Sequence, residues 1–312
     1  MGGHADYAHQ PVMLEEVLEL LLTDYNGFYM DGTFGRGGHS RALLARLGPK
    51  ARLVGVDRDP EAVAAGEELA REDDRFHMVS RRFDCLDEVV PEQGRPLQGL
   101  LLDLGVSSPQ LEEASRGFSF RQDGPLDMRM DPRHGESVAQ WLNRAPEAEI
   151  ADVLFRYGEE RRSRRIARRI CEYRRERPLE RTLELAELVA AVPGTGDPGR
   201  HPATRSFQAL RIFINRELEA LERVLEQCLA WLAPGGRLVV ISFHSLEDRI
   251  VKRFIRDWSG RAPRGRGGVP LDEERPVLLR ATGRARHARA EEVRANPRAR
   301  SAVLRVAERV AA

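Results

Sequence analysis

A glycine-rich stretch near the start of the chain constrains the fold more than any other feature of the sequence. The apolar residues 27–30 lead into Asp31, four glycines follow between positions 32 and 38, and residues 41–47 have the apolar spacing of a helix. This order predicts a strand, a tight loop and a helix. Glycines let the backbone approach a ligand closely, and the helix start presents unpaired N–H groups. The stretch is therefore expected to hold a cofactor.

A second acidic residue follows this loop at the distance found in nucleotide-binding βαβ units, about 20 residues further along the chain. It is Asp57, which ends the apolar run 53–56. A carboxylate there can accept hydrogen bonds from both hydroxyls of a ribose, a group that NAD and S-adenosylmethionine share. The loop and the acid together predict a nucleoside site. The structural alternative is a glycine-rich turn followed by a helix that Asp57 caps before Pro60.

The spacing of the glycines narrows the choice of cofactor. Residues 35–40 lack the third glycine of the G-x-G-x-x-G fingerprint of dinucleotide-binding proteins. Residues 31–37 instead resemble the acidic, glycine-containing loop of S-adenosylmethionine-dependent methyltransferases, with Thr33 in place of one glycine. These patterns leave three classes open: a methyltransferase, a nicotinamide-dependent oxidoreductase, and a non-catalytic RNA-binding protein with a vestigial cofactor fold.

Strand-like and helix-like segments alternate through much of the chain, which is typical of an α/β fold with a doubly wound, mostly parallel sheet. Residues 99–104 are nearly all apolar, as expected for a central strand buried on both faces. Ligands of such folds bind beyond the carboxyl ends of the strands. The residues expected at those ends, in one shared crevice, are Asp31, Asp57, Phe83 and Asp103. The other predicted strands are 76–79 and 237–243, with two edge strands at 276–279 and 300–306.

The alternation stops between position 110 and about position 202, where a long loop precedes four helical patterns. We therefore predict a sheet domain in two parts, residues 1–109 and 203–312, interrupted by an inserted helical domain at 110–202. After the insertion, the apolar spacing predicts one long amphipathic helix at 207–231. Another helix is predicted after His244, with Ser245 and Asp248 spaced as in a capping box.

The net charge of +1 conceals two basic segments. Residues 156–181 contain eleven arginines and five acids, and residues 253–300 contain thirteen arginines and six acids, so the segments carry +6 and +7. Segments of this kind suit phosphate backbones, and arginine suits forked contacts. The alternative is that these helices have solvated faces with i,i+4 ion pairs. The sequence does not choose between the two.

Composition excludes several other classes. With 41% apolar residues the chain is expected to have a core. Its three cysteines, Cys85, Cys171 and Cys228, match no zinc or redox spacing, so we expect buried free thiols and no metal. No apolar run approaches the roughly 20 residues that span a bilayer. With no signal-peptide pattern, we expect a cytoplasmic protein with no membrane partner.

Nine blocks, in order along nearly the whole chain, resemble the MraW-type family of bacterial methyltransferases. The resemblance implies a class I, Rossmann-like methyltransferase with an inserted substrate-recognition domain. The implied reaction transfers the methyl group of S-adenosyl-L-methionine to the N4 amine of a cytosine in the decoding region of 16S ribosomal RNA. The matching blocks are 9–14, 31–40, 57–60, 101–110, 116–131, 157–160, 201–205, 242–254 and 296–301.

The resemblance also implies a set of site residues. Gly37, Gly38 and His39 would lie against the cofactor, Asp57 on its ribose and Phe83 beside its adenine. Asp103 and Gln110 would complete the cofactor pocket. Of these, the fold pattern by itself supports Asp57, whereas a histidine at a helix start is more often a capping or surface residue. Gln110 alone would be taken for an ordinary surface amide.

The chemistry predicted for this family suggests further residues. Methyl transfer to an exocyclic amine depends on alignment and on an oxygen that accepts from the amine. We predict Asp103 or a nearby backbone carbonyl in this catalytic role. Phe118 or Phe120 is predicted to stack on the flipped-out cytosine, the alternative for both being core packing. The groups predicted to contact RNA are Arg129, His244 and Arg249.

The predicted partner is 16S ribosomal RNA in the small ribosomal subunit or its precursor. The sequence does not identify the nucleotide, and it does not say whether free RNA or an assembled particle is methylated. Exposed apolar positions in the insertion permit a homodimer.

Overall fold

The computed structural model describes residues 11–196, 199–260 and 276–311. It divides the chain into two compact units, Met1–Gly105 with Glu219–Ala312, and Val106–Leu218. The strands are β1 (Phe28–Asp31), β2 (Arg52–Asp57), β3 (Phe76–Ser80), β4 (Leu97–Asp103), β5 (Leu232–Ser242), β6 (Leu279–Ala281), β7 (Arg286–His287) and β8 (Val303–Arg309). The helices are α1 (Leu14–Leu21), α2 (Gly38–Arg46), α3 (Pro60–Glu72), α4 (Leu86–Glu92), α5 (Ser108–Glu112), α6 (Val138–Arg144), α7 (Glu147–Gly158), α8 (Ser163–Glu176), α9 (Thr182–Ala190), α10 (Thr204–Asn215), α11 (Glu217–Trp231), α12 (Ser245–Asp257) and α13 (Ala290–Ala295).

The first unit contains a single sheet of order β3-β2-β1-β4-β5-β8-β6, with β7 also paired to β8. Strands β1 to β5 run parallel, and β8 is antiparallel to both β5 and β6. This order, with helices between the parallel strands, confirms the predicted doubly wound, mostly parallel α/β fold. The strand order reverses next to β1, so the carboxyl ends of β1, β2 and β4 border the point where such folds bind their ligands.

The central strands have apolar side chains on both faces, as the near-continuous apolar runs predict. Tyr29 and Leu101 belong to the core on one face, whereas Met30 and Leu100 belong to the core on the other. The alternation follows the two-residue period of a strand. It places Asp31 on the face of Tyr29, and Asp103 on the face of Leu101.

The C-terminal part of the sheet differs from the sequence prediction. The strand predicted at 300–306 is β8, and it lies between β5 and β6 instead of at an edge. The strand predicted at 276–279 shares only Leu279 with β6. Strand β5 begins at Leu232, earlier than the predicted position 237, and the irregular register between Leu97 and Gly99 accommodates the extra residues. Strand pairing, which local patterns do not report, decides these positions.

The prediction of a single long helix at 207–231 is wrong, because the helix is interrupted between α10 and α11. Arg216 adopts the left-handed conformation, with φ of 50°. The buried Asn215 side chain donates to the carbonyls of Met128 and Arg211 and accepts from the Met130 N–H. These contacts tie the end of α10 to a distant loop. The apolar spacing continues through the break, so periodicity alone does not detect it.

The capping box predicted at Ser245 and Asp248 is displaced by one residue. His244 is the N-cap of α12, and its Nδ1 accepts from the Glu247 N–H at 3.4 Å. A Glu247 carboxylate oxygen accepts in return from the N–H groups of Phe243 and His244, at 2.8 and 3.3 Å. Asp248 instead forms a two-pronged ion pair with Arg305 of β8.

The second unit is helical and has its own apolar core, which confirms an inserted helical domain in the fold. Trp141, Leu154, Ile166, Ile170 and Leu210 are fully buried there. The role of this unit in substrate recognition stays a prediction. In the described parts of both units, no helix is long and apolar enough to cross a membrane.

Candidate active site

The glycine-rich loop is hydrogen-bonded to the ends of the two strands that flank β1. The Gly32 N–H donates to the Leu101 carbonyl of β4 at 2.9 Å, and the Phe34 N–H donates to the Val56 carbonyl of β2 at 3.0 Å. The loop therefore crosses the carboxyl edge of the sheet. Helix α2 begins directly after it, as the order of residues predicts.

Two consecutive glycines, Gly37 and Gly38, form the turn into α2. Gly37 is the N-cap and has φ of 77°, a conformation that strains residues with a side chain. A Cβ atom at Gly38 would lie 2.4 Å from the Pro11 ring, closer than real Cβ contacts allow. The turn thus requires glycine at both positions.

Asp31 holds the loop in place from within the fold. It is 1% exposed, and it accepts from the Thr33 N–H at 3.2 Å and from the Ser40 hydroxyl at 2.7 Å. Burial raises the pKa of Asp31, although the nearby His39 and the two hydrogen bonds oppose that effect. Both carboxylate oxygens thus join the start of the loop to the start of α2.

Asp57 links the loop to the end of β2. One of its oxygens accepts from the Gly35 N–H and the other from the Asp59 N–H, both at 2.9 Å. Burial raises the pKa of Asp57, and these N–H groups oppose the increase. Each carboxylate oxygen has a second lone pair, so the group can still accept from a ligand. The alternative that Asp57 caps the following helix is wrong, because Asp59 is the N-cap of α3.

His39 and Asp103 form a polar pair beside the loop, in which His39 is buried and Asp103 is half-buried. His39 is 6% exposed, and its Nε2 lies 3.5 Å from Asp103 Oδ2. The Asp103 N–H donates to Thr33 Oγ1 at 2.6 Å, which fixes the end of β4 against the loop. Within the described residues, neither ring nitrogen of His39 has a hydrogen-bond partner, and neither does Asp103 Oδ1. Buried polar groups without partners cost about 1 to 3 kcal/mol each, so these three atoms favour a polar ligand.

Phe83 lies next to the same loop. It is half-buried against the core on one face of the sheet, and a Cβ atom at Gly32 would lie 3.3 Å from its Cβ. Its ring therefore belongs to the carboxyl edge that carries Asp31, Asp57 and Asp103. The first unit thus brings together six of the predicted cofactor residues, namely Gly37, Gly38, His39, Asp57, Phe83 and Asp103.

Two further residues of this edge were not predicted as site residues, although Thr33 was noted as replacing a loop glycine. Thr33 anchors Asp103 through its hydroxyl, and Ser40 completes the hydrogen bonds to Asp31. Thr33 is a short polar residue in a loop of small residues, and Ser40 is a short polar residue in the first turn of α2. No local signal distinguishes them, because their partners lie on other strands or nine residues away.

The other predicted cofactor residue, Gln110, lies in the second unit. It is buried and not an ordinary surface amide, because its Oε1 accepts from the Ser107 N–H at 2.9 Å in the capping box of α5. Its contact with the cofactor stays a prediction.

The predicted stacking residues differ in exposure. Phe118 is 6% exposed and belongs to the core of the second unit, with the Arg116 guanidinium 5.8 Å from its ring centroid. Phe120 is half-buried, and its ring packs against His201 and Phe207 with centroid distances of 4.5 and 4.8 Å. Of the two rings, Phe120 has more surface left for another ring.

The predicted RNA-contacting residues also have structural roles. Arg129 makes two hydrogen bonds to Asp127 and a third to the Gly135 carbonyl, so it braces its own loop. His244 caps α12 and has Nε2 3.0 Å from a Glu247 oxygen. Arg249 is exposed on the second turn of α12. In the ranges that the structure covers, no group of His, Cys, Asp or Glu is arranged to bind a metal ion.

A parallel sheet closed by an antiparallel C-terminal strand, with acidic residues at the ends of β1, β2 and β4 and a glycine loop over them, defines a class I S-adenosylmethionine-dependent methyltransferase. The sequence then identifies the group within this class. The chain belongs to the MraW methylase family, whose model matches residues 6–310. This membership removes the oxidoreductase and non-catalytic alternatives.

Curated relatives match along almost the whole chain. The chain is 66% identical over 305 residues to the ribosomal RNA small subunit methyltransferase H of Alcanivorax borkumensis, with 98% of each chain covered. It is 58% identical to the protein of the same name from Thioalkalivibrio sulfidiphilus, with 100% of each chain covered. It is 54% identical to that from Chromohalobacter salexigens, with 98% of this chain and 93% of the relative covered.

The buried polar groups fit S-adenosylmethionine, the cofactor of this class. Its amino-acid end and ribose hydroxyls offer donors, and its sulfonium and ammonium groups are cationic. Among the described residues, Asp103 Oδ1 is a buried acceptor without a hydrogen-bond partner, and Asp57 keeps acceptor capacity beyond its backbone N–H partners. The carboxylate acceptors of the site therefore suit a cationic nucleoside.

Proposed function

We propose that this enzyme methylates the exocyclic N4 amine of a cytosine in the decoding region of 16S ribosomal RNA. The observation that carries the proposal is the 66% identity, over 98% of both chains, to an enzyme named for methylation of small-subunit ribosomal RNA. Identity at this level along the whole length includes the second unit as well as the cofactor fold. The substrate is therefore proposed to be the same class of RNA.

The cofactor contacts follow the edge of the sheet. Gly37, Gly38 and His39 are proposed to lie against the cofactor, with Asp57 accepting from its ribose and Phe83 beside its adenine. The free lone pairs of Asp57 support the ribose contact, and the unpartnered nitrogens of His39 support a polar contact at the start of α2. Asp103 and Gln110 are proposed to complete the pocket.

S-adenosylmethionine, when bound, would supply a methyl group from its sulfonium, and the sulfur would leave as a neutral thioether. The amine nitrogen would bond to the methyl carbon as the carbon–sulfur bond breaks, and the amine would lose one proton to bulk water. Asp103 Oδ1 is proposed to accept a hydrogen bond from that amine, which draws electron density toward the nitrogen. The Thr33 hydroxyl holds the end of β4, and His39 lies on the other carboxylate oxygen, so Asp103 is fixed in orientation. Alignment then provides most of the rate enhancement.

Substrate contacts are proposed for Phe118, Phe120, Arg129, His244 and Arg249. Exposure favours Phe120 as the ring that stacks on the extruded cytosine. The partner is proposed to be 16S ribosomal RNA within the small subunit or its precursor. A homodimer and a cytoplasmic location stay predictions.

The decisive experiment uses small ribosomal subunits from a strain that lacks this protein. Incubation with the purified protein and labelled S-adenosylmethionine is expected to label one cytosine of the decoding region, at N4, as mapped by digestion and mass spectrometry. Subunits from the parent strain are the control, because their site is already methylated. Label at another base, or on the ring carbon of a cytosine, would contradict the proposal.

The stacking role is tested by replacing Phe118 and Phe120 in turn by leucine. Stacking of a base on an aromatic ring contributes about 1 to 3 kcal/mol, so Phe120→Leu is expected to lower kcat/KM for small subunits by about fivefold to 150-fold. The affinity for S-adenosylmethionine, measured by calorimetry, monitors an intact cofactor site in both variants. Unchanged methylation by both variants would refute stacking by either ring.

A further inference from the structure

Helix α8 has two faces of opposite character within the second unit. One face buries Ile166, Ala167 and Ile170 in the apolar core. The other face exposes four arginines, which we call the α8 basic face and define as Arg164, Arg165, Arg168 and Arg169. Arg164 and Arg168 are four residues apart, and so are Arg165 and Arg169. Because residues four apart are neighbours on a helix, the two pairs form adjacent columns on the helix surface.

The structure separates these four arginines from others of the same basic segment. Several neighbours are used to hold the unit together through ion pairs, carbonyl contacts or ring contacts. They are Arg156 with Asp152, Arg174 with the Leu142 carbonyl, Arg177 over the Tyr173 ring, and Arg181 with Asp123. Within the described residues, the α8 basic face contributes one long ion pair to this internal bonding, Arg168 with Glu147 at 3.9 Å, so folding of the unit accounts for little of its composition.

The α8 basic face also has few counter-charges. No acidic residue occurs between positions 161 and 171. In the described part of the chain, Arg164, Arg165 and Arg169 form no ion pair, and the carboxylate nearest to Arg168 is Glu147 at 3.9 Å. Glu172 and Glu176 lie further along the helix and form no ion pair with these arginines. The i,i+4 ion pairs that would make this a simple solvated face are therefore not formed.

The arrangement opposes helix formation. Arg164 and Arg168 repel each other, as do Arg165 and Arg169, because like charges four residues apart are neighbours. The first turn of α8 also contains no acidic residue and lies at the positive end of the helix dipole. Helix α8 therefore keeps four cations close together with little compensation from the described residues.

We propose that the α8 basic face docks the phosphate backbone of the RNA substrate, an inference that rests on the proposed function. Exposed guanidinium groups in two parallel columns can make forked contacts to successive phosphates. Phosphate contacts position an RNA without reading its bases. The α8 basic face thus supplies affinity and orientation, and the choice of the methylated cytosine belongs to other residues.

The test replaces all four arginines by glutamine in the full-length protein. With small subunits from the strain lacking this protein, the KM of the variant is expected to rise about tenfold or more at physiological salt. The slope of the logarithm of subunit affinity against the logarithm of salt concentration is expected to fall by about 3, because each lost phosphate contact contributes about 0.7 to 0.9. The affinity for S-adenosylmethionine is expected to stay unchanged.

The matched control removes the same charge from four exposed arginines that are ion-paired: Arg46, Arg144, Arg156 and Arg253. It is expected to keep the salt slope and KM of the unaltered protein. The thermal midpoint of the α8 variant is expected to be equal or higher, since the repulsion is relieved, which separates a docking defect from misfolding.

Each outcome has a distinct meaning. If the unaltered protein methylates the subunits and the α8 variant has the same KM and salt slope, the docking proposal is wrong and the proposed function stands. The docking surface is also wrong if both variants lose affinity equally, because net charge alone then explains the result. If the unaltered protein neither binds nor methylates the subunits, the proposed function and the docking surface both fail.

Discussion

At the scale of single residues, the three acidic strand ends have different partners although the sequence presents them alike. Asp31 bonds to its own loop and to α2, Asp57 bonds to the loop and to the turn before α3, and Asp103 keeps one oxygen without a partner. The first carboxylate is thus structural, whereas the other two have acceptor capacity for a ligand. Two predictions follow from these differences.

The first concerns the stability of the fold as a function of pH. Burial raises the pKa of Asp31 above its ordinary value of 3.8. Ionisation therefore costs more in the folded than in the unfolded chain, so Asp31 lowers stability as pH rises from about 3.8 through its folded-state pKa. An Asp31→Asn side chain does not titrate. It can keep both hydrogen bonds, accepting from Thr33 and donating to the Ser40 oxygen.

We expect the stability of Asp31→Asn, relative to the unaltered protein, to increase with pH over this window and then level off. The gain is about 1.4 kcal/mol for each unit by which the pKa is raised. Urea unfolding at intervals from about pH 4 to about pH 8 measures it. Asp24→Asn, at an exposed turn, is the control and should show no such trend. A difference that is constant with pH would show that the buried carboxyl is not the cause.

The second prediction concerns cofactor affinity. Asp57→Asn removes the negative charge that is proposed to accept from the ribose hydroxyls. It also replaces one acceptor oxygen by an amide NH₂, which then faces the N–H of either Gly35 or Asp59. A hydrogen bond to a charged group contributes about 1.5 to 3 kcal/mol, so the Kd for S-adenosylmethionine should rise about tenfold to 150-fold. Calorimetry measures the change, again with Asp24→Asn as the control. An affinity within a factor of about two of the original would argue against the ribose contact.

At the scale of secondary structure, the break between α10 and α11 shows a local preference overridden by distant contacts. Arg216 takes φ of 50° because the Asn215 amide is held by Met128 and Met130. A residue with a Cβ in this conformation costs about 1 to 2 kcal/mol, and glycine avoids that cost.

Arg216→Gly is therefore expected to stabilise the protein by about 0.5 to 1 kcal/mol, because relief of about 1 to 2 kcal/mol of left-handed strain exceeds the roughly 0.5 to 1 kcal/mol of extra conformational entropy that glycine loses on folding. Glu226→Gly, at an exposed position inside α11, is the matched control and should destabilise by about 1 kcal/mol. Denaturant unfolding of both variants measures the two changes. If the helix were continuous from 207 to 231, both glycines would destabilise alike.

At the scale of the whole molecule, the residues of the first unit that are proposed to bind the cofactor are expected to couple cofactor binding to the stability of the sheet. A ligand that binds only the folded state stabilises it by about 2.7 kcal/mol at a concentration of 100 times its Kd. S-adenosylmethionine is expected to produce a gain of this size in urea unfolding, whereas NADH at the same concentration should produce none. Equal stabilisation by S-adenosylmethionine and NADH would indicate a nonspecific nucleoside site.

Much of the architecture could be predicted from the sequence because it follows from local patterns of apolar residues. Apolar runs of strand length, with helical spacing between them, indicate a parallel sheet, and Asp31, Asp57 and Asp103 each follow such a run directly. The position of these acids at one edge of the sheet follows from the topology, since the carboxyl ends of parallel strands share an edge. The loop between β1 and α2 is likewise apparent from its glycines.

The rest depended on contacts between residues far apart in the chain. The pairing of β8 between two strands, the break at Arg216, and the proximity of His39 to Asp103 have no local signature. The same is true of the division between arginines that bond within the second unit and those of the α8 basic face. By itself the sequence determined which residues are apolar, charged or free to turn, and hence the elements of the sheet and its acidic edge. Only the tertiary structure decided which polar groups find partners, because hydrogen bonds and ion pairs depend on distances that folding alone establishes.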